Sequence, residues 1–299
     1  MNILITGGTG FIGSYLVKML LEQGHNITIL SRNQRKAQSN IRFIGHVSEI
    51  SDNETIEAII NLAGANISKR WTQAYKDELI SSRVTITKSI IALISRLIKK
   101  PDLFISASAI GYYGIPQQND IALDEQSKYT DGFTHQLCAQ SEEEALKAKI
   151  YGVRTCIARL GVVLGKNGGA LEKMLPAFKF CLGGQIGSGA QFFSWIHIKD
   201  VLLVFYEFIK NKEYNGIYNV TSPNPITNSE FTAALSRALK RPAILPVPAF
   251  IIKLIFGEMG ENLLLNGQKV IPKRLEQNSF EFSYPTIYLA LLEIVSDPL

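Results

Sequence analysis

The sequence predicts an α/β fold, a Rossmann-type doubly wound parallel sheet with a smaller C-terminal substrate-binding part. Three observations predict it. An apolar run at residues 3–5 passes directly into a glycine turn, Gly7, Gly10 and Gly13, and from there into a helical pattern. Short apolar or β-branched runs then alternate with helical stretches over the first two thirds of the chain, as a parallel sheet with crossover helices requires. At 299 residues the chain fits one large α/β domain with an elaborated end.

The first strand covers residues 3–5. The glycines follow where the chain must turn sharply and let a pyrophosphate approach its backbone, so Gly7, Thr9, Gly10, Phe11, Ile12 and Gly13 are the expected cofactor contacts. A helix over 11–23 would aim its free N–H groups and positive dipole end at those phosphates. Residues 8–14 also have the glycine spacing of a P-loop, but the phosphate-gripping Lys before the Ser is missing.

The second strand, 27–30, ends at Ser31-Arg32-Asn33, where an NAD site would place a carboxylate on the ribose 2′-OH. A hydroxyl and an arginine suit a 2′-phosphate instead, so Ser31 and Arg32 predict NADP, with Arg35 and Lys36 adding charge nearby. The competing reading is a solvated basic loop. Buried parallel strands follow at 58–62, 103–106 and 154–158, separated by helices over 72–99, stopped by Pro101, and 133–149. A further strand at 217–220 returns to the main sheet. From about Leu171 the rhythm loosens, with a glycine-rich stretch at 183–189 and Pro242, Pro246 and Pro248 close together. The expected organisation is a cofactor domain over 1–225, with 171–200 partly in the substrate cleft, and a small C-terminal domain over 245–297.

Composition is that of an ordinary globular enzyme, 46% hydrophobic and 19% charged. No apolar run reaches the ~20 residues that span a bilayer, and the N-terminal apolar stretch is only a strand long, so neither a membrane nor a signal peptide is expected and the expected location is cytoplasmic. Three scattered cysteines do not make a disulfide framework. His135 and Cys138 lack a second pair at zinc spacing, so no metal is expected. The net charge of +5 is spread along the chain; it favours small anionic ligands and does not argue for nucleic acid. The residues leave the oligomeric state open.

Several further stretches carry a resemblance: Asn61-Leu62-Ala63-Gly64-Ala65-Asn66, Trp71, Ser82-Arg83-Val84, Ser108-Ala109-Ile110-Gly111-Tyr112-Tyr113-Gly114, Gly161-Val162-Val163-Leu164-Gly165, the segment 194–200 and the segment 267–272. Together they resemble the YfcH-like atypical short-chain dehydrogenase/reductases, an NAD(P)-dependent epimerase/dehydratase-like family with a small C-terminal domain of its own. The likeness runs along essentially the whole chain. It implies that Leu62, Ala63 and Gly64 contact the cofactor at the end of the fourth strand, that Val162 lies near the nicotinamide, and that Arg83, with Glu78, fixes a helix or reaches the cofactor. The plainer alternative for Arg83 and Glu78 is an intrahelical ion pair worth ~0.3–0.5 kcal/mol.

Short-chain dehydrogenases use a Ser or Thr together with a Tyr and a Lys four residues apart on one helix. By the resemblance Ser108 matches the serine, just beyond the fifth strand, but Thr134 and Cys138 stand where the Tyr and Lys belong. Thr does not titrate usefully, and Cys brings no positive charge to lower a neighbour's pKa. The Tyr206…Lys210 spacing lies too far along the chain and reads as chance on an amphipathic helix. Tyr112 and His197 are therefore the alternative proton carriers, each weighed against a packing role. Two functions follow: an NADP-dependent oxidoreductase or epimerase on an unknown small polar substrate, or a non-catalytic NADP(H)-binding redox sensor.

Overall fold

The computed structural model describes residues 1–32, 39–118 and 120–296. The first part runs β1 (Asn2–Thr6), α1 (Phe11–Glu22), β2 (Asn26–Leu30), β3 (Ile41–Ile44), β4 (Ala58–Asn61), α2 (Gln73–Arg96) and β5 (Leu103–Ala109). It continues with α3 (Phe133–Leu146), β6 (Arg154–Leu160), β7 (Val162–Leu164), α4 (Gly169–Lys179), β8 (Phe192–Phe193), β9 (Trp195–His197), α5 (Ile198–Lys210) and β10 (Gly216–Val220). The end holds β11 (Ile226–Thr227), α6 (Asn228–Leu239), α7 (Ala249–Phe256), α8 (Glu258–Gly260), α9 (Lys273–Gln277) and α10 (Ile287–Val295).

Seven strands form one parallel sheet in the order β3-β2-β1-β4-β5-β6-β10. Alternate residues of each strand feed two cores. Ile3 and Ile5 pack with Leu16 and Leu20 of α1 and Val201 and Phe205 of α5, while Leu4, Ile59 and Phe104 pack with Ile90 and Ile94 of α2. Both faces are thus covered, which is why these strands read as nearly continuous apolar runs. The strand order reverses between β1 and β4, so the crevice at their carboxyl ends is the switch point where open α/β sheets bind ligands.

Several elements differ from the sequence reading: α2 ends at Arg96 and not at 99, and β6 runs to Leu160 and not to 158. β3 was not singled out among the apolar runs: it is a four-residue edge strand paired only to β2, and its Arg42 is an exposed partner of Glu54. β5 runs to Ala109, so Ser108 lies within the strand and not beyond it. α3 ends at Leu146, and one 3₁₀ segment (Lys147–Tyr151) leads to Gly152, whose φ of +76° ends the turn.

The last fifty residues spread over the carboxyl edge of the sheet. Met259 packs with Trp71, Leu79 and Leu137; Leu123 and Val270 pair in a parallel bridge; α10 buries Ala290, Leu291 and Ile294 against α4 and α6. Asp200, fully buried at the start of α5, accepts the backbone N–H groups of Ser283 and Tyr284 at 2.8 and 3.1 Å. No helix is long and apolar enough to cross a membrane among the described residues.

Candidate active site at the carboxyl edge of the sheet

The glycine turn separates two tasks. A Cβ on Gly13 would stand 2.2 Å from the Gly7 carbonyl oxygen, and one on Gly7 would stand 2.7 Å from the Leu62 carbonyl, so these two glycines let helix, strand and the β4 turn close up. Gly7 also needs the left-handed φ of +69°. A Cβ on Gly10 would meet only the Gly7 oxygen, at 3.2 Å, which leaves the middle of the turn open toward a ligand. Gly10 is also the N-cap of α1 and offers no side-chain cap to its first turn. Phe11 faces the other way, over Gly165, Gly168 and Gly169; a Cβ on Gly168 would come within 2.3 Å of its ring. Its role is to seat α1 on the loop after β7, and Tyr15 adds a hydrogen bond of 2.9 Å to the Lys166 carbonyl.

The wall opposite Gly7 is fixed by a buried polar chain. Thr6 Oγ1 donates to Asn61 Oδ1 at 2.6 Å, Asn61 Nδ2 donates to Thr87 at 3.0 Å, and Thr87 donates to the Arg83 carbonyl at 2.8 Å. This chain holds the Leu62-Ala63-Gly64 turn against the glycine turn. The Arg83 guanidinium lies under Gly64, where a Cβ would sit 2.9 Å from its Cζ, and donates to the carbonyls of Leu79 and Ala65 at 3.0 and 3.2 Å. Burial lowers its pKa from the ordinary value. Glu78 is exposed and makes no ion pair with Arg83 among the described residues, so the intrahelical pair does not form: the guanidinium has turned inward beneath the glycine. At the end of β2, the Ser31 N–H donates to Ile44 at 3.0 Å, and Arg32 is exposed beside it. Arg35 and Lys36 lie outside the described residues. Val162 begins β7, its N–H held by the Ser194 carbonyl at 2.9 Å.

Ser108 faces a network that the sequence did not announce. Its hydroxyl donates to Glu142 Oε1 at 2.6 Å. Arg159, opposite Ser108 in the β5–β6 register, grips the same carboxylate through Nε and Nη2 at 2.9 and 2.8 Å. Both charged groups are almost fully buried, and Arg159 also donates to Tyr113 Oη, which donates to Asn219 at 2.7 Å. Burial alone would lower the Arg159 pKa; the paired bonds to Glu142 carry it above the usual value. Burial pushes Tyr113 up to about 12. The signal for Glu142 was spacing: Thr134, Cys138 and Glu142 stand four residues apart, on one stripe of α3.

That stripe faces the β5 loop. A Cβ on Gly111 would meet Thr134 Cβ at 3.3 Å and Cys138 Sγ at 3.7 Å. Burial pushes the Cys138 thiol up to about 11, so it stays neutral and cannot do the work of a lysine. Tyr112 lies partly buried with the Arg159 guanidinium 3.3 Å from its ring centroid, and its hydroxyl makes no hydrogen bond among the described residues. His135 bonds the Tyr112 carbonyl at 2.6 Å and stacks on Tyr129 with centroids 3.6 Å apart, a packing role. No metal-binding cluster occurs among the described residues.

His197 departs from its expected place in the chemistry. It is fully buried, its Nδ1 accepts the Lys199 N–H as the N-cap of α5, and its ring packs on Tyr284. With Nδ1 accepting, Nε2 carries the proton and donates to Glu293 at 3.2 Å. Both nitrogens are engaged within the protein, so His197 braces α10. Tyr206 and Lys210 pair with each other on α5, the ammonium 5.9 Å from the ring centroid.

The geometry has counterparts. Residues 3–221 match the NAD dependent epimerase/dehydratase family, and residues 247–294 match a domain of unknown function, DUF1731. The chain is 40% identical over 305 aligned residues to the "Epimerase family protein SDR39U1 homolog, chloroplastic" of Arabidopsis thaliana, covering 99% of this chain and 87% of that protein. It is 38% identical to the "Epimerase family protein YfhF" of Bacillus subtilis, covering 99% of each. The crystal structure of human epimerase family protein SDR39U1 (isoform2) with NADPH superposes with a TM-score of 0.91 at 32% identity, covering 100% of both chains. UDP-glucuronic acid 4-epimerase of Bacillus cereus shares the fold, with a TM-score of 0.78 at 16% identity over 98% of this chain and 97% of that one. With a family match over residues 3–221 and relatives alike along its whole length, this chain belongs to the NAD dependent epimerase/dehydratase family.

Proposed function

We propose that this chain binds NADPH in the crevice between β1 and β4 and acts as an NADP-dependent oxidoreductase or epimerase of the atypical extended short-chain dehydrogenase/reductase type, on a small polar substrate. The observation that carries this reading is the glycine turn, closed at Gly7 and Gly13 and open at Gly10, at the uncapped start of α1. The full-length likeness to a human protein crystallised with NADPH supports the choice of cofactor. The turn amides would hold the pyrophosphate, Ser31 and Arg32 the 2′-phosphate, and the 62–64 turn, Arg83 and Val162 the remainder. When bound, NADPH supplies the hydride.

For the proton, Tyr112 Oη is the hydroxyl of this loop without a partner among the described residues, and Ser108 is oriented by Glu142 and can accept a bond from a substrate hydroxyl. The occupation of the Tyr and Lys places by Thr134 and a neutral Cys138 favours the second reading, NADP(H) binding without turnover. The test is NADPH consumption against a panel of small carbonyl compounds. The first reading expects turnover that falls roughly 10²–10⁴-fold in Tyr112→Phe and Ser108→Ala and is unchanged in Tyr206→Phe. Tight NADPH binding with no turnover across the panel moves the second reading ahead.

A further inference from the structure

The loop after β4 carries two cations, Arg70 against the C-terminal segment and Lys69 beside it, neither with a carboxylate partner among the described residues. Its frame is rigid: Ser68 N–H and Oγ donate to Asn66 Oδ1 at 3.0 and 2.7 Å, Tyr75 Oη donates to the Asn66 carbonyl, and Trp71 Nε1 donates to the Ile67 carbonyl at 2.9 Å. Between those anchors stand exposed Lys69 and Arg70. The Arg70 guanidinium lies over Gly257, where a Cβ would be 3.5 Å from its Nε, at the corner joining α7 and α8. From the other side, exposed Lys173 of α4 bonds Ser68 Oγ. The loop after β4 and helix α4 therefore bring positive charge to one place, beside the α7–α8 corner of the C-terminal segment.

Neighbouring charge sharpens the point. Lys76, one turn into α2, is paired to Glu258 at 2.6 Å and ties α2 to α8. Lys69, Arg70 and Lys173 have no carboxylate partner among the described residues; Lys69 has only the Tyr75 ring, 5.2 Å from its ammonium. The loop that carries them is fixed by its own hydrogen bonds, and the Arg70 guanidinium lies against Gly257, so the arginine's charge is placed at this corner. Clefts between a cofactor domain and a second segment are common substrate sites.

We propose that Arg70, with Lys69 beside it and Lys173 of α4 bonded to the same loop, binds an anionic group of the substrate, a carboxylate or a phosphate. The inference rests on the NADPH reading above and deepens it: the substrate of this site is an acid. An anion at the same corner could also come from the cofactor's own phosphates, and the arms of the test separate the two sources.

The test uses the full chain saturated with NADPH, titrated with malonate and separately with inorganic phosphate by calorimetry at low salt. The expected result is saturable uptake of at least one probe, weakened roughly tenfold or more in Arg70→Gln and less in Lys69→Gln, with NADPH affinity changed less than about twofold. Lys18→Gln, on the exposed face of α1, serves as a charge control and leaves both affinities unchanged. A tenfold loss of NADPH affinity in Arg70→Gln, with probe uptake intact, assigns the arginine to the cofactor and overturns the proposal. Absence of probe uptake by wild type that binds NADPH also overturns it, whereas failure of wild type to bind NADPH overturns the earlier reading.

Discussion

Glu142 is held by one hydroxyl and a two-pronged guanidinium inside the protein, and that makes it the most demanding residue of the site. Breaking a buried pair leaves the partner charge stranded, at a cost of about 3–5 kcal/mol. Glu142→Gln should therefore lower stability by about that amount in urea unfolding, and Arg159→Met by a similar amount. His197 gives a pH signature. Burial lowers its pKa to about 4 from an ordinary 6.5, so the unfolded chain takes up a proton first as pH falls. The contribution is fully present above pH 6.5, is lost as pH falls from about 6.5 to about 4, and is of order 3 kcal/mol. His197→Asn keeps a side-chain cap for Lys199 and should flatten that part of the stability–pH curve; an unchanged slope between those pH values would show that another group titrates. At this scale the sequence is least legible. Glu142 sits in Ser141-Glu142-Glu143-Glu144, which reads as a solvated helix face until Arg159 is known to lie opposite. For His197 the sequence left a proton carrier and a packing role both open, and the engagement of both nitrogens becomes visible only in the fold.

Elements divide the glycine turn into fold and function. Gly13→Val would drive side-chain atoms into the Gly7 carbonyl, already 2.2 Å from the Cβ position, and should unfold or severely destabilise the protein. Gly10→Val meets little protein and should leave the circular dichroism and melting temperature near wild type while abolishing NADPH binding. A Gly10→Val protein that binds NADPH normally would place the nucleotide elsewhere. The sequence treats these two glycines alike; only the packing distances separate them. Six of the seven main-sheet strands were legible because burial on both faces gives apolar runs. β3 was not, because it is a four-residue edge strand whose apolar Ile41, Phe43 and Ile44 are interrupted by the exposed Arg42.

The whole molecule is built on one seven-stranded sheet, with two small two-stranded sheets beside it and a C-terminal segment packed onto it at several places. The Leu123–Val270 bridge, the Lys76–Glu258 pair and the Asp200 bonds to Ser283 and Tyr284 all cross from that segment to the cofactor half. Deleting residues 246–299 should therefore expose the partners of Val270 and Leu291 and yield an aggregating protein, while the intact chain melts in a single transition; a monomeric truncated form with wild-type melting temperature would contradict this. Fold class and cofactor crevice were legible at this scale from the first thirteen residues and the alternation that follows. The wrapping of the segment was not, because its contacts are long-range and its composition is irregular. The most direct test of the account is calorimetric titration of wild type and Arg32→Asp with NADPH and NADH. Wild type should prefer NADPH by roughly ten- to a hundredfold, the worth of one charge-assisted phosphate contact, and Arg32→Asp should lose the preference. Equal affinity of wild type for the two cofactors would contradict it.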